Sequence, residues 1–387
     1  MNMIDYETMT LESITLPEDN SRLYYNLCKC PKPCQLLFLG GSITSGYAFD
    51  ETIQPFPMLI QEMLKLNSHD VRQDTTEDTR QDTRQFTVHN YGYSCFHTHL
   101  GIALLDQVLA ELTPDIIALE YAVNNSYDLD FAASFEGMIQ KLLQTNPAAS
   151  IFIICTCDEH GYSCESYMAE IARHYNLPVI SLSKALNFGQ NHNFMWRDYS
   201  ADHCHPTQNG QQLIADCIWR LFTETKEHPP TSMVTPMTSN NPLMIEQQSN
   251  FFSPKQSCFS NDYANATFYP AHKVTQLGGF KLLAGKEPFC TTIAHVPGDG
   301  RPMHWTVSCK RAYLLYEQSC DEKSAGRIEV QIASSKALTI DGYSIYGWDN
   351  PSIALLFHNE TKEQQLTIGM VATDLNKTFR IYGFLVT

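Results

Sequence analysis

Between residues 35 and 222, short apolar runs alternate with amphipathic stretches. Gln35–Gly40 (QLLFLG) is the first run. Phe56, Leu59, Ile60, Met63 and Leu64 follow at helical spacing. Phe86–Asn90 is the second run, and a helical pattern then covers Leu100 to Leu112. Asp115–Ala122 is the third run, with a helix around Phe131–Gln144. Ser150–Cys155 (SIFIIC) is the fourth, with a helix around Glu165–Tyr175. Pro178–Leu182 is the fifth, and Gln208–Phe222 closes the series as an amphipathic helix. Strands alternating with helices of this length predict parallel βαβ units. Right-handed crossovers place helices on both faces. The expectation for residues 35–223 is therefore a three-layer α/β/α domain with a five-stranded parallel sheet. In such sheets ligands bind beyond the carboxyl ends of the strands.

From Thr223 the texture changes. Residues 224–262 are rich in Pro, Ser, Asn and Gln and read as a linker or a wrapping segment. Short alternating runs follow: HWTVSC, AYLLYE, RIEVQIA, IALLFHN, QLTIGMV and FRIYGFLV. Their spacing predicts an all-β sandwich of jelly-roll-like form over residues 263–387. Residues 1–34 are an N-terminal segment that could pack on either domain. Within it Leu23-Tyr24-Tyr25 reads as a strand that either could borrow. The polar near-repeat at 74–85 (DTTEDTRQDTRQ) holds nothing to bury and reads as an exposed loop.

Composition narrows the function classes. The chain has 387 residues, 43% of them hydrophobic, enough for two buried cores. A formal charge of −16 disfavours nucleic-acid backbones and anionic membranes, and no Lys/Arg run offsets it. Neither nucleic acid nor membrane is expected as a partner. The N-terminal stretch is polar and acidic, without the basic and apolar regions of a secretory signal. Thirteen cysteines, an odd and scattered number, then read as free thiols in a reducing cytoplasm. CKCPKPC (28–34) and CTC (155–157) lack the regular pairing of zinc sites, so no metal is expected there.

Four segments at strand ends carry candidate chemistry. GGSIT (40–44) follows the first strand and would project Ser42 from a strand-to-helix turn, or be a plain turn. Gly92, after the second strand, could offer an unobstructed N–H to an oxyanion. In EYAVNN (120–125), Asn124 is a neutral amide donor suited to the same task. Asn124 and Asn125 could equally form a turn or cap the next helix. In DHCHPTQNG (202–210), Asp202 and His205 are three residues apart and fall on one side of a turn. The carboxylate can fix the imidazole tautomer, leaving Nε2 to take a serine proton. Metal binding by His203, Cys204 and His205 is the alternative for that segment.

Together and in order, these segments resemble the blocks of the SGNH (GDSL-like) hydrolase superfamily over about residues 34–222. GGSIT matches the first block, Gly92 the second-block glycine, Asn124 the third-block asparagine, and Asp202 with His205 the DxxHP block. The resemblance implies a flavodoxin-like SGNH fold and a serine esterase. It makes Ser42 the nucleophile, His205 the base and Asp202 its orienting acid. The N–H groups of Ser42 and Gly92 and the Asn124 amide would form the oxyanion hole. Gly41 departs from the usual Asp before the serine, and Ala122 and Asn125 depart from the third block. Pro206 favours His205 over His203 as the base. The α/β-hydrolase elbow G-x-S-x-G is not met, because Thr44 stands where it needs glycine.

The chemistry requires no cofactor. A β-sandwich appended to such a domain resembles carbohydrate esterases that remove acetyl groups from glycans, so an oligosaccharide or small-molecule ester is the expected substrate. Trp196, Tyr199, Trp305 and Trp348 could stack on sugar rings or belong to the core. An O-acyltransferase, a short-chain lipase or thioesterase, and a non-catalytic glycan-binding protein remain alternatives.

Overall fold

In the computed structural model the chain is described over residues 1–30, 33–46, 52–69, 85–230, 256–332, 336–359 and 362–387. Residues 74–84 of the polar near-repeat, and most of the expected linker, lie outside these. The N-terminal segment forms α1 (Met3–Glu12), a two-residue strand β1 (Ile14–Thr15) and α2 (Ser21–Cys28). Leu23-Tyr24-Tyr25 is thus helical and not a strand. Asp19 accepts the Ser21 N–H at 2.9 Å at the start of α2. Leu23 and Leu27, four residues apart, are both buried. The Asn26 amide donates to the carbonyls of Asp115 and Ala148 at 2.7 and 3.1 Å.

The chain continues through β2 (Cys34–Gly40), α3 (Ser42–Ser45), α4 (Phe56–His69), β3 (Phe86–Gly92), α5 (Thr98–Glu111), β4 (Ile116–Glu120) and α6 (Leu129–Thr145). It then runs through β5 (Ser150–Cys155), α7 (Glu165–Tyr175), β6 (Val179–Ser181), α8 (Leu182–Gln190), α9 (Trp196–Tyr199) and α10 (Gln208–Glu227). The sheet order is β1-β6-β5-β4-β2-β3. Strands β2 to β6 are all parallel, and β1 adds an antiparallel edge. Strands β2, β4 and β5 are almost wholly buried, which their near-continuous apolar runs demand of a sheet covered on both faces. From β2 the chain turns to one side for β3 and later to the other for β4. Gly40, at the end of β2, stands in register with Gly92 on β3 and Glu120 on β4. That reversal is where parallel sheets open a crevice.

The remaining strands are β7 (Thr267–Pro270), β8 (Phe280–Ala284), β9 (Thr291–His295), β10 (Met303–Cys309), β11 (Arg311–Ser319), β12 (Arg327–Ile332), β13 (Leu338–Asp341), β14 (Trp348–His358), β15 (Gln364–Ala372) and β16 (Arg380–Val386). They pair antiparallel in two sheets, β10-β15-β12-β13 and β14-β11-β16-β9-β8, with β7 also on β16. The alternating burial of β12 shows one face turned to a core. That core joins both sheets, with Trp305 stacked on Phe384 at 4.0 Å.

By its contacts the chain divides into residues 1–98 with 111–261, an α/β unit, and residues 99–110 with 262–387, a β unit. Most of α5 therefore belongs to the β unit. There the His99 Nε2 lies 3.2 Å from the Tyr263 hydroxyl, which also meets the Tyr313 hydroxyl. Asp262 pairs with Arg311 at 2.6 Å.

Residues 258–260 return to the α/β unit through Glu136 of α6. Its buried carboxylate accepts the N–H groups of Cys258, Phe259 and Ser260 at 2.5, 2.6 and 3.0 Å, and the Tyr175 hydroxyl at 2.7 Å. Replacing it leaves three half-buried N–H groups and the buried Tyr175 hydroxyl without this acceptor. Glu136→Ala is expected to destabilise the protein by about 3 kcal/mol in urea unfolding. It should also open residues 256–262 to limited proteolysis. Unchanged stability and cleavage would show that the clamp carries no weight.

Candidate active site

The turn after β2 positions Ser42. Gly41 precedes it, and a side chain there would place its Cβ 2.6 Å from the Asn124 Oδ1 and 3.2 Å from the Phe96 carbonyl. A larger residue there would have to displace the Asn124 side chain. Ser42 opens α3, and Ser45 folds back on the turn through its N–H to the Gly41 carbonyl at 3.0 Å and its hydroxyl to the Ser42 carbonyl at 2.9 Å. Three side chains brace the turn. Asn90 donates to the Thr44 carbonyl at 2.9 Å and Gln211 to the Ile43 carbonyl at 3.2 Å. Glu120 accepts the Thr44 hydroxyl at 2.9 Å and the Thr156 hydroxyl at 2.8 Å. Burial pushes the Glu120 carboxyl up, and these donors oppose the shift. Thr44, the residue that breaks the α/β-hydrolase pattern, is thus a ligand of this carboxylate.

Before α10, the loop at 200–206 is organised around Asp202. Its Oδ1 accepts the N–H groups of Cys204 and His205 at 2.7 and 2.6 Å. Its Oδ2 lies 2.8 Å from the His205 Nδ1. The His205 Nε2 lies 2.9 Å from the Ser42 Oγ. Burial works against the Asp202 charge, but those N–H groups and the imidazole outweigh it and hold its carboxyl below the usual carboxylate range. Ser200 donates to the carbonyls of Asp202 and His205 at 3.0 and 2.7 Å, and the Trp196 Nε1 donates to the Asp202 carbonyl at 2.9 Å. Residues 163 positions apart in the chain are therefore in hydrogen-bond contact. Ser42 is only 8% exposed, so its hydroxyl sits in a largely dry position. His203 turns away, with its Nδ1 at Glu159 and its side chain 80% exposed.

Asn124 lies beside Gly41. Among the described residues its buried Oδ1 has no hydrogen-bond partner, and no bond engages its Nδ2. Asn125 behaves differently. Its side chain accepts the Thr98 N–H at 2.9 Å and donates to the Thr98 and Tyr167 hydroxyls at 2.5 and 3.0 Å. Neither asparagine caps α6; Asp128 does, accepting the Phe131 N–H at 2.9 Å.

Gly92 enters in another role than expected. Its N–H donates to the Asn90 Oδ1 at 2.9 Å. A Cβ there would lie 2.3 Å from the Ser45 nitrogen, so glycine is needed to let β3 pack on the nucleophile turn. Three residues on, Cys95 holds φ at 63°, the left-handed region that L side chains avoid. It lies in the turn closed by the Phe96 N–H to the Tyr93 carbonyl at 3.2 Å, and among the described residues no hydrogen bond engages its own N–H. Burial pushes its thiol up. A cysteine in YSCF carries no sequence signal for positive φ, so only the backbone reveals it.

The aromatic candidates separate. Tyr199 and Trp305 are buried, and Trp196 packs on the α/β core. Trp348 is 68% exposed. No described helix is long and apolar enough to cross a membrane.

No family model matches the chain, and no curated protein matches it in sequence. Solved structures do match. A two-domain esterase (CEX) active on acetylated mannans is 17% identical, with a TM-score of 0.78, over 97% of this chain and 98% of that one. The same kind of esterase co-crystallised with mannopentaose gives 16% identity and a TM-score of 0.79 over 97% of each chain. At this identity the likeness establishes the fold: a mixed α/β unit with a parallel sheet and an antiparallel all-β unit.

A fluorophosphonate probe reads the nucleophile directly. Labelling is expected at Ser42, to disappear in Ser42→Ala and to slow by about 10⁴-fold in His205→Ala. Mass-spectrometric mapping of the label to any other residue would reject the assignment.

Proposed function

We propose that the protein is a serine esterase of the SGNH type that removes acetyl groups from saccharides. The observation that carries this reading is the Ser42–His205–Asp202 relay, with links of 2.9 and 2.8 Å, at the carboxyl ends of a parallel sheet. Counted along the parallel strands alone, the sheet order is 2-1-3-4-5, that of flavodoxin-like folds. Ser42 attacks the ester carbonyl while the His205 Nε2 takes its proton. Asp202 holds the Nδ1–H and stabilises the imidazolium. The proton then passes to the leaving sugar hydroxyl, and water repeats the cycle on the acetyl-enzyme.

Three donors can face the developing oxyanion. The Ser42 N–H, first in its helix, has no intrahelical acceptor. The Asn124 amide is free of other bonds. The third is the Cys95 N–H, in place of Gly92. Holding a cysteine at φ 63° costs about 1–2 kcal/mol, and such strain is retained where the surroundings and the chemistry require it. The Tyr93–Phe96 turn reaches the nucleophile because the Phe96 carbonyl lies against Gly41.

The acetylated-glycan substrate is supported by the full-length likeness to an esterase active on acetylated mannans.

Acetate release from acetylated manno- and xylo-oligosaccharides tests the reading. Ser42→Ala is expected to lower kcat by about 10⁵–10⁶-fold. Turnover of long-chain acyl esters without any acetate release would sink the substrate class, and wild-type turnover by Ser42→Ala the mechanism.

The oxyanion donors have their own signature. Asn124→Ala is expected to lower kcat by about 10²–10³-fold with KM little changed. Cys95→Gly keeps the N–H, relieves the strain and should retain turnover. Loss of turnover in a folded Cys95→Gly would point to the thiol instead.

A further inference from the structure

A second group of side chains able to carry chemistry lies beside the loop that bears Asp202 and His205. Glu159, His160 and His203 each offer a ligand atom, and these atoms all lie within 4.8 Å of one another at exposed positions. The His203 Nδ1 is 2.5 Å from the Glu159 Oε2, and the His160 and His203 rings stack with centroids 5.9 Å apart. The backbone presents these donors firmly. The Glu159 N–H donates to the His203 carbonyl at 2.8 Å, joining two segments more than forty residues apart. The Asp158 Oδ1 accepts the N–H groups of His160 and Tyr162 at 2.9 and 2.7 Å, and Gly161 closes the turn with φ 78°.

Two imidazoles and one carboxylate form a donor set that suits zinc and its neighbours better than calcium or magnesium, which prefer all-oxygen shells. Zinc bonds to such ligands are about 2.0–2.2 Å long, a spacing that small rotations of exposed side chains can reach. The protein's charge of −16 favours a cation. The triad makes no use of these residues.

We propose that Glu159, His160 and His203 bind a divalent transition-metal ion of the zinc class, with water completing its shell. The ion is structural: it cross-links the 158–161 turn to the loop carrying the proposed base, two residues beyond His203. The site stands independently of the esterase reading.

Cobalt titration of the reduced full-length protein tests it, because Co²⁺ reports its ligands by absorption. One equivalent is expected to give visible ligand-field bands without the near-ultraviolet band of a cobalt thiolate, and Zn²⁺ should displace it. His160→Ala and His203→Ala should each weaken binding by about 100-fold. His205→Ala should bind as wild type does. Circular dichroism verifies that each variant is folded, and Zn²⁺ should raise the melting temperature of the wild type but not of His203→Ala. The proposal is overturned by any of four results: no saturable spectrum, a thiolate band, wild-type affinity in both histidine variants, or loss of binding in His205→Ala.

Discussion

A carboxyl group with almost no access to water holds the turn that bears Ser42 in place. Glu120, at the end of β4, gathers the hydroxyls of Thr44 and Thr156. Those donors come from the segments that follow β2 and β5, so one side chain ties three neighbouring strand ends together. A buried polar group is costly unless it finds hydrogen-bond partners, and losing one of them is therefore severe. The position of the Ser42 hydroxyl is inherited from this arrangement: Thr44 is fixed, α3 is fixed with it, and the serine at the start of α3 meets the imidazole.

Parts of the site were legible in the sequence because they are local. Asp202 and His205 lie within one turn, so their spacing alone places the carboxylate at the Nδ1. GGSIT ends an apolar run, and the strand-end rule directs attention there even though its partner is distant. What could not be read was which backbone groups remain free. Glycine at position 92 signals a close approach, and the approach is real, but it is to Ser45 and not to a ligand. The adjacent asparagines are chemically identical, and only the packing of Thr98 and Tyr167 shows that Asn125 is spent. Cys95 was missed because nothing about cysteine announces a left-handed backbone.

The same limit applies to the fold. The five parallel strands and the antiparallel remainder follow from periodicity. The Leu23-Tyr24-Tyr25 stretch misled because three apolar residues in a row fit either period, and the decisive pair, Leu23 and Leu27, spans beyond them. Among the aromatics, Trp305 and Trp348 look alike in sequence. One is stacked on Phe384 inside a sandwich core, and the other is exposed on a strand.

The allocation of α5 has a consequence for dissecting the molecule. The chain passes from one unit to the other three times, at 98/99, 110/111 and 261/262. Neither unit is a continuous stretch of polypeptide, and a cut within residues 224–262 does not separate them. A fragment ending there would carry α5 without Tyr263, Tyr313 and the strands that receive it, exposing an apolar helix flank. The β strands alone would lack the helix that completes their packing. The two units are thus interleaved along the polypeptide, and neither can be excised as one uninterrupted segment.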